Sequence, residues 1–209
     1  VVVIPHHPGK RMFPQFWQHD PELETAIEIY SKWGSHEYFG NPLQPDQGDY
    51  ATYPGLFVQD ALMKGFKYGF VAGGDCHIIK PGTRGLTGVL AKSLSRRDVF
   101  DAIKARRTFA TTGCRTEVVL ALDGYLMGSD IVVTRYQLER MFPWTLYVEV
   151  VADRPVESVE LIENNQVIRR ETVSTTGGYF TLRFTRRDRT PDAFCDFNFV
   201  HRPPTERKY

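Results

Sequence analysis

The feature that most constrains this fold is a change of hydrophobic period near residue 113. Upstream, short apolar runs rich in β-branched residues alternate with stretches of helical period, the pattern of parallel βαβ units. Downstream, helical period vanishes and apolar residues recur at every second position, as in sheets with one buried face. The expected layout is an α/β unit over 1–113, a small antiparallel β-sandwich over 114–186, and an Arg- and Pro-rich tail over 187–209 that fits neither pattern.

Upstream strands are expected at 1–6, 26–31, 70–75 and 88–92, with a short one at 108–111. A helix is expected over 53–68, where Leu56, Phe57, Ala61, Leu62 and Phe66 share one face and Gly69 follows as a stop. A second begins at Ser95 as N-cap, with Asp98 three residues on and Lys104, Arg106 and Arg107 near its end. Downstream strands are expected at 117–122, 145–152, 158–163, 166–171 and 179–185. Asn164 and Asn165 mark a hairpin turn, because Asn tolerates positive φ.

Composition removes several function classes. Lys and Arg total 26 against 25 Asp and Glu, a formal charge of +1, so no strong field exists to recruit nucleic acid or an anionic membrane surface. No apolar run approaches the roughly 18 residues of a membrane span, and a soluble globular chain is expected. Cys76, Cys114 and Cys195 cannot build a disulfide framework and only mildly favour a reducing environment, which fixes no compartment. The chain opens inside an apolar run, Val1-Val2-Val3-Ile4, without Met or a signal-peptide layout. It is therefore expected to be the C-terminal portion of a longer polypeptide, or to pair with a missing segment or a second copy.

Chemistry-bearing residues gather where strands end. In Gly73-Gly74-Asp75-Cys76-His77, the period of two turns Asp75 and His77 to one side and Cys76 to the other. A carboxylate and an imidazole so placed can converge on one metal ion, or form a hydrogen-bonded pair. His6 and His7 precede Pro8-Gly9 at another strand end. By the same period only one of the two enters a common site, the other hydrogen-bonding to a loop or lining its rim; otherwise both are exposed loop residues. Glu28, inside Ala26-Ile27-Glu28-Ile29-Tyr30, needs a metal, an Arg or a hydrogen-bonding substrate if buried, and otherwise faces water from an edge strand. His36 and Glu37 are loop residues suited to substrate or outer-shell contacts, or to solvent. Arg84, in a glycine-rich loop, can bind phosphate or carboxylate or simply be exposed. His19 reads as loop and capping chemistry.

The order of these motifs carries a resemblance: HHPG, then A-I-E-I-Y-S, G-G-D-C-H, G-L-T-G-V-L-A and A-I-K-A-R-R-T-F-A-T-T-G. It resembles the C-terminal half of PHP (polymerase and histidinol phosphatase) domain proteins, most closely the DUF3604 and CehA-like branch of metal-dependent hydrolases. The resemblance covers residues 1 to about 115, and the β segment to about 185 is similar to the β-domain that often follows. It implies the C-terminal part of a distorted (β/α)7 barrel with two or three divalent metals at the strand ends. His7 then matches the family's histidine before Pro-Gly, and Asp75 and His77 its terminal D-x-H. Glu28 resembles a glutamate on the strand after that turn, a direct ligand or an outer-shell group. The family's opening H-x-H, its next histidine and its first acidic ligand have no counterpart here.

The function this implies is metal-assisted hydrolysis of a small molecule, most naturally a phosphate ester, by zinc, manganese or iron. The expected metal residues are His6, His7, Glu28, Asp75 and His77, with Asp75, His77 and Glu28 catalytic and Arg84 and His36 on the substrate. The alternative is a catalytically inactive α/β portion that supports the β-domain as a binding module. At about 25–30 residues per βα unit, the first 112 residues hold roughly four units, little more than half a barrel.

Overall fold

The computed structural model describes residues 1–10, 18–45, 51–75, 77, 82, 84–132, 134, 144–175, 178–186 and 198–200. Its first part contains β1 (Ala26–Ser31), β2 (Gly34–Ser35), α1 (Val58–Met63), β3 (Gly69–Ala72), β4 (Leu86–Val89), α2 (Arg96–Lys104) and β5 (Thr108–Thr111). β1 is the middle strand of a three-stranded sheet, antiparallel to β2 and parallel to β3. Ala26, Ile27, Glu28 and Ser31 are all buried, so both faces of β1 are covered. Part of that cover is α1, whose Val58, Ala61 and Leu62 pack with Ile27 and Tyr68. At roughly 1.5–3 kcal/mol for each large apolar side chain removed from water, this packing fixes β1 in place.

α1 is shorter than the apolar pattern over 53–68 predicts. Its N-terminus is set where the Phe57 amide donates to Asp60 Oδ2 at 2.9 Å, while Tyr53 to Leu56 form the preceding turn. Gly65, at φ 82°, ends it. Phe66 and Tyr68 lie beyond its end, packed against the same cluster and in aromatic contact with His19. α2 begins where expected, with Ser95 Oγ accepting from the Asp98 amide at 3.1 Å.

No (β/α)7 barrel, whole or partial, is present among the described residues, and this corrects the expected architecture. Among the described residues the parallel pairing is confined to β1 and β3; β4 and β5 pair antiparallel, Leu86 opposite Thr111 and Val89 opposite Thr108. A helix between two adjacent strands reads in sequence as a parallel crossover. Here α2 buries only Ala102 and leaves Phe100 38% exposed, so it caps a long hairpin rather than covering a sheet. The ladder extends toward it through the Leu90 amide and Arg107 carbonyl at 2.9 Å. Residues 1–6 are not a strand either. Pro5 has no amide to donate, and the segment is tied by isolated bonds, Val3 N to Leu23 O and Glu28 N to Pro5 O.

The second part is sheet. β6 (Glu117–Leu122), β7 (Tyr125–Leu126), β8 (Trp144–Ala152) and β11 (Gly178–Arg186) form one antiparallel sheet in the order β11-β8-β6-β7. β9 (Val156–Glu163), β10 (Gln166–Thr175) and β12 (Asn198–Val200) form another, with β9 central. Along β8, Leu146, Val148, Val150 and Ala152 point inward while Tyr147, Glu149 and Val151 point out. Those inward residues meet Val118 and Leu120 of β6 and Val156, Val159 and Leu161 of β9 in one apolar core. Asn164 and Asn165 turn the β9–β10 hairpin with φ of 49° and 62°, the sign a type I′ turn requires.

The two parts touch. Asn165 Nδ2 donates to Gln59 O at 2.9 Å, and Lys67 and Arg106 both reach Asp130 at 2.7 Å. No described helix is long and apolar enough to cross a membrane.

Candidate metal centre

The site forms where the segment before β1, β1 itself and the segment after β3 come together. Glu28 is the first element of it. Both faces of β1 are covered, so its carboxylate is buried and must find partners within the protein. It finds the two histidines: Glu28 Oε2 accepts from His6 Nδ1 at 2.8 Å, and Oε1 lies 3.2 Å from His7 Nδ1 and 3.4 Å from the His7 amide. Burial pushes the Glu28 carboxyl up, but the His7 hydrogen bond and the charge and hydrogen bond of His6 outweigh it. The group is held below the ordinary carboxylate range.

Both histidines enter the site, where strand alternation predicted one. The segment is not a strand, and His7 has φ 51°, a left-handed turn that brings successive side chains to one side. Their rings lie 3.7 Å apart between centroids. One ligand atom from each of His6, His7 and Glu28 falls within 4.8 Å of the others. Asp75 closes the group, with Oδ2 at 2.9 Å from His7 Nε2 and Oδ1 at 3.8 Å from His6 Nε2. β3 ends at Ala72, before the expected 75, and Asp75 itself has φ 38°. Parity along a strand therefore does not decide where Asp75 and His77 point. His77 Nε2 is 3.8 Å from Asp75 Oδ1, but its side chain is 85% exposed and marks the rim. Cys76 lies outside the described residues. Gly73 leaves open space where a side chain would stand.

Two further groups border the cluster. His36 is fully buried, with its ring 5.5 Å from that of His7, so it lies beneath the site and not on a solvated loop. Burial pushes its pKa down to about 3, against the opposing charge of Glu28, and keeps the imidazole neutral. Lys10 was not singled out by any sequence pattern beyond its place after His-His-Pro-Gly. It is buried, its pKa lowered by desolvation against the attraction of Asp75 and Glu28, and its Nζ lies 5.4 Å from the centre of the Trp33 ring. Arg84 is exposed at φ 75°, and its charge reaches Tyr30 at the end of β1. His19 stands apart, sharing 2.9 Å contacts with Glu24 and the Tyr68 hydroxyl.

The donor set is two imidazoles and two carboxylates, with a third imidazole alongside. Nitrogen and oxygen donors of this kind suit zinc, manganese or iron, and the residues fit a divalent cation by their chemistry. The negative charges of Glu28 and Asp75 at close range add to the attraction.

Residues 72–125 match a family described as "Protein of unknown function (DUF3604)". That stretch includes Asp75, His77 and Arg84 but neither His6, His7, Glu28 nor His36. An uncharacterized protein of Chlamydia pneumoniae is 36% identical over 124 residues, 53% of this chain and 20% of its own length. Uncharacterized proteins of Chlamydia trachomatis serovar D and Chlamydia muridarum are 28% and 27% identical over 80% and 92% of the chain. The chain spans 29% and 32% of their lengths, so it corresponds to a third or less of these relatives. No solved structure matches. Residues 72–125 are thus similar to the DUF3604 family, and longer stretches of the chain are similar to the chlamydial proteins.

Proposed function

We propose that this chain carries part of the active site of a metal-dependent hydrolase of phosphoesterase type, akin in its chemistry to the PHP and CehA-like enzymes that its motifs resemble. The single observation that supports it most is the convergence of His6, His7, Glu28 and Asp75, four side chains from three separate segments. His7, Asp75, Glu28 and His6 would hold the cation, with His77 at the rim. A bound divalent ion would supply a water of lowered pKa and polarise the scissile group. Glu28 accepts a hydrogen bond from His6 Nδ1 and fixes that ring's orientation, as carboxylates commonly do for ligating histidines. Lys10 offsets the carboxylates' charge, and it and the exposed Arg84 would give an anionic substrate such as a phosphate ester a favourable approach.

The test is hydrolysis of an aryl phosphate by this chain with added manganese or zinc. Metal-dependent turnover that falls at least 100-fold in Asp75→Asn is expected. Turnover that persists in both Asp75→Asn and His7→Ala would place hydrolysis elsewhere. Metal binding without turnover, even when the rest of the site is supplied by a longer polypeptide, would favour the alternative, in which the β-sheet part is a binding module on an inactive support.

A further inference from the structure

Trp33 is 48% exposed and belongs to neither apolar cluster of the described residues. A tryptophan ring left half in water forfeits much of the burial that makes it useful to a fold. The turn does not call for it either. Lys32 and Trp33 are the two residues between Ser31 and Gly34, which pair across the β1–β2 hairpin, and two-residue hairpin turns favour Asn and Gly. The tip is firmly held all the same. The Ser35 amide donates to Leu43 O at 2.6 Å, and Gly34, at φ 127°, lacks the Cβ that would collide with that carbonyl. A large aromatic ring is thus presented to solvent on a fixed support.

Lys10 links that ring to the His-Glu-Asp cluster. Its amide donates to His7 O at 3.2 Å, which fixes the lysine backbone on the His7 turn, and its Nζ lies 5.4 Å from the centre of the Trp33 ring. One lysine side chain therefore spans the interval from the His7 turn to the neighbourhood of the ring. Lys10 is buried, and the charges of Asp75 and Glu28 act on its ammonium, so the cation is near the carboxylates as well as the indole. Lys32 Nζ lies 4.2 Å from the same ring centre. Cations within about 6 Å are drawn to an aromatic face, and these two help to orient the ring. An exposed ring beside two ammoniums complements one kind of molecule, an anion that carries a flat apolar group.

We propose that Trp33 is a specificity-determining residue that packs against the leaving group of an aromatic phosphate monoester, whose phosphoryl group Lys10 draws toward the His7, Glu28 and Asp75 cluster. This role rests on the hydrolase reading above and adds to it the class of leaving group. Water adds its oxygen to phosphorus and the bond from phosphorus to the aryl oxygen breaks. The phenol leaves with one water proton and the phosphate keeps the other. An aliphatic phosphate would meet Lys10 but leave the Trp33 ring unused.

Calorimetric titration of the zinc-loaded 209-residue chain with phenylphosphonate and with methylphosphonate tests it, because the two share a phosphoryl group and neither hydrolyses. Phenylphosphonate is expected to bind about tenfold more tightly. Trp33→Ala is expected to reduce that preference to about twofold or less and to leave methylphosphonate affinity unchanged, while Trp33→Phe keeps most of it. Equal affinities in the unmutated chain, or a preference that survives in Trp33→Ala, would overturn the role of Trp33 and leave the hydrolase reading standing. An unmutated chain that takes up no zinc, or binds neither phosphonate, would overturn both. If Trp33→Ala loses the far-ultraviolet circular dichroism of the folded chain, NMR of the unmutated chain decides. The Trp33 indole N–H resonance, assigned by its loss in Trp33→Phe, must shift with phenylphosphonate more than with methylphosphonate, and equal shifts would overturn the role.

Discussion

At His7 a single backbone angle changes what the site can contain. Alternation along a strand separates His6 from His7, and sequence reasoning from that rule admits one of them. The left-handed φ of 51° puts both on Glu28, and nothing in the residue types announces it beyond the Pro-Gly that follows. Glu28 was legible in part: a carboxylate in an apolar run is costly if buried and is expected to meet a metal, an Arg or a hydrogen-bonding substrate, or else to face water, whereas its partners are His6 and His7. His36 read as a loop residue because Gly34 and Ser35 precede it. Its burial comes from α1 and Gly9 closing over it, contacts between distant segments. Gly9→Ala tests this directly. The left-handed φ and the 3.2 Å approach to His36 should together cost about 1–3 kcal/mol, measured by denaturant unfolding. A change below about 0.3 kcal/mol would mean that the turn relaxes freely.

Among the elements, those set by local signals came out where the sequence put them. Glu117–Leu122 and Thr108–Thr111 match residue for residue, and α2 starts at its Ser95 cap. Ser95→Ala removes the acceptor for the Asp98 amide and should lower stability by about 1 kcal/mol in the same unfolding measurement. The elements that differ are those decided by tertiary contacts. α1 stops at Met63 although the apolar pattern runs on, because Phe66 and Tyr68 find aromatic partners in His19 and each other. The antiparallel pairing of β4 with β5 depends on Gly88, where a Cβ would stand 2.0 Å from the Phe109 ring. Gly88→Ala should therefore force that ring aside, with a loss of about 1–3 kcal/mol. Phe109→Leu in the same background should recover part of it.

Across the whole molecule, the change of period at residue 113 was legible because period depends on which faces are buried. Topology was not, since the same βαβ-like pattern serves a parallel crossover or a hairpin with a helix at its tip. The chain joins the two kinds of sheet through a few polar contacts, among them Asp130 between Lys67 and Arg106. The Lys67 hydrogen bond, helped by the Arg106 charge, outweighs a small burial cost and holds the Asp130 carboxyl below its ordinary 3.8. A depressed carboxylate contributes stability above its unfolded pKa that is lost as pH falls through the folded value. Asp130→Asn should thus reduce acid sensitivity below pH 3.8, seen as a smaller drop in melting temperature on acidification. An unchanged acid profile would leave that contact without a role in stability.

The proposed hydrolysis requires that His6, His7, Glu28 and Asp75 hold a divalent cation. Equilibrium dialysis against zinc, with the bound metal counted by elemental analysis, measures this most directly in the unmutated chain and in Glu28→Ala and His7→Ala. At least one zinc retained per chain, and at least tenfold weaker binding in each variant, is expected. Equal zinc content in all three would contradict it.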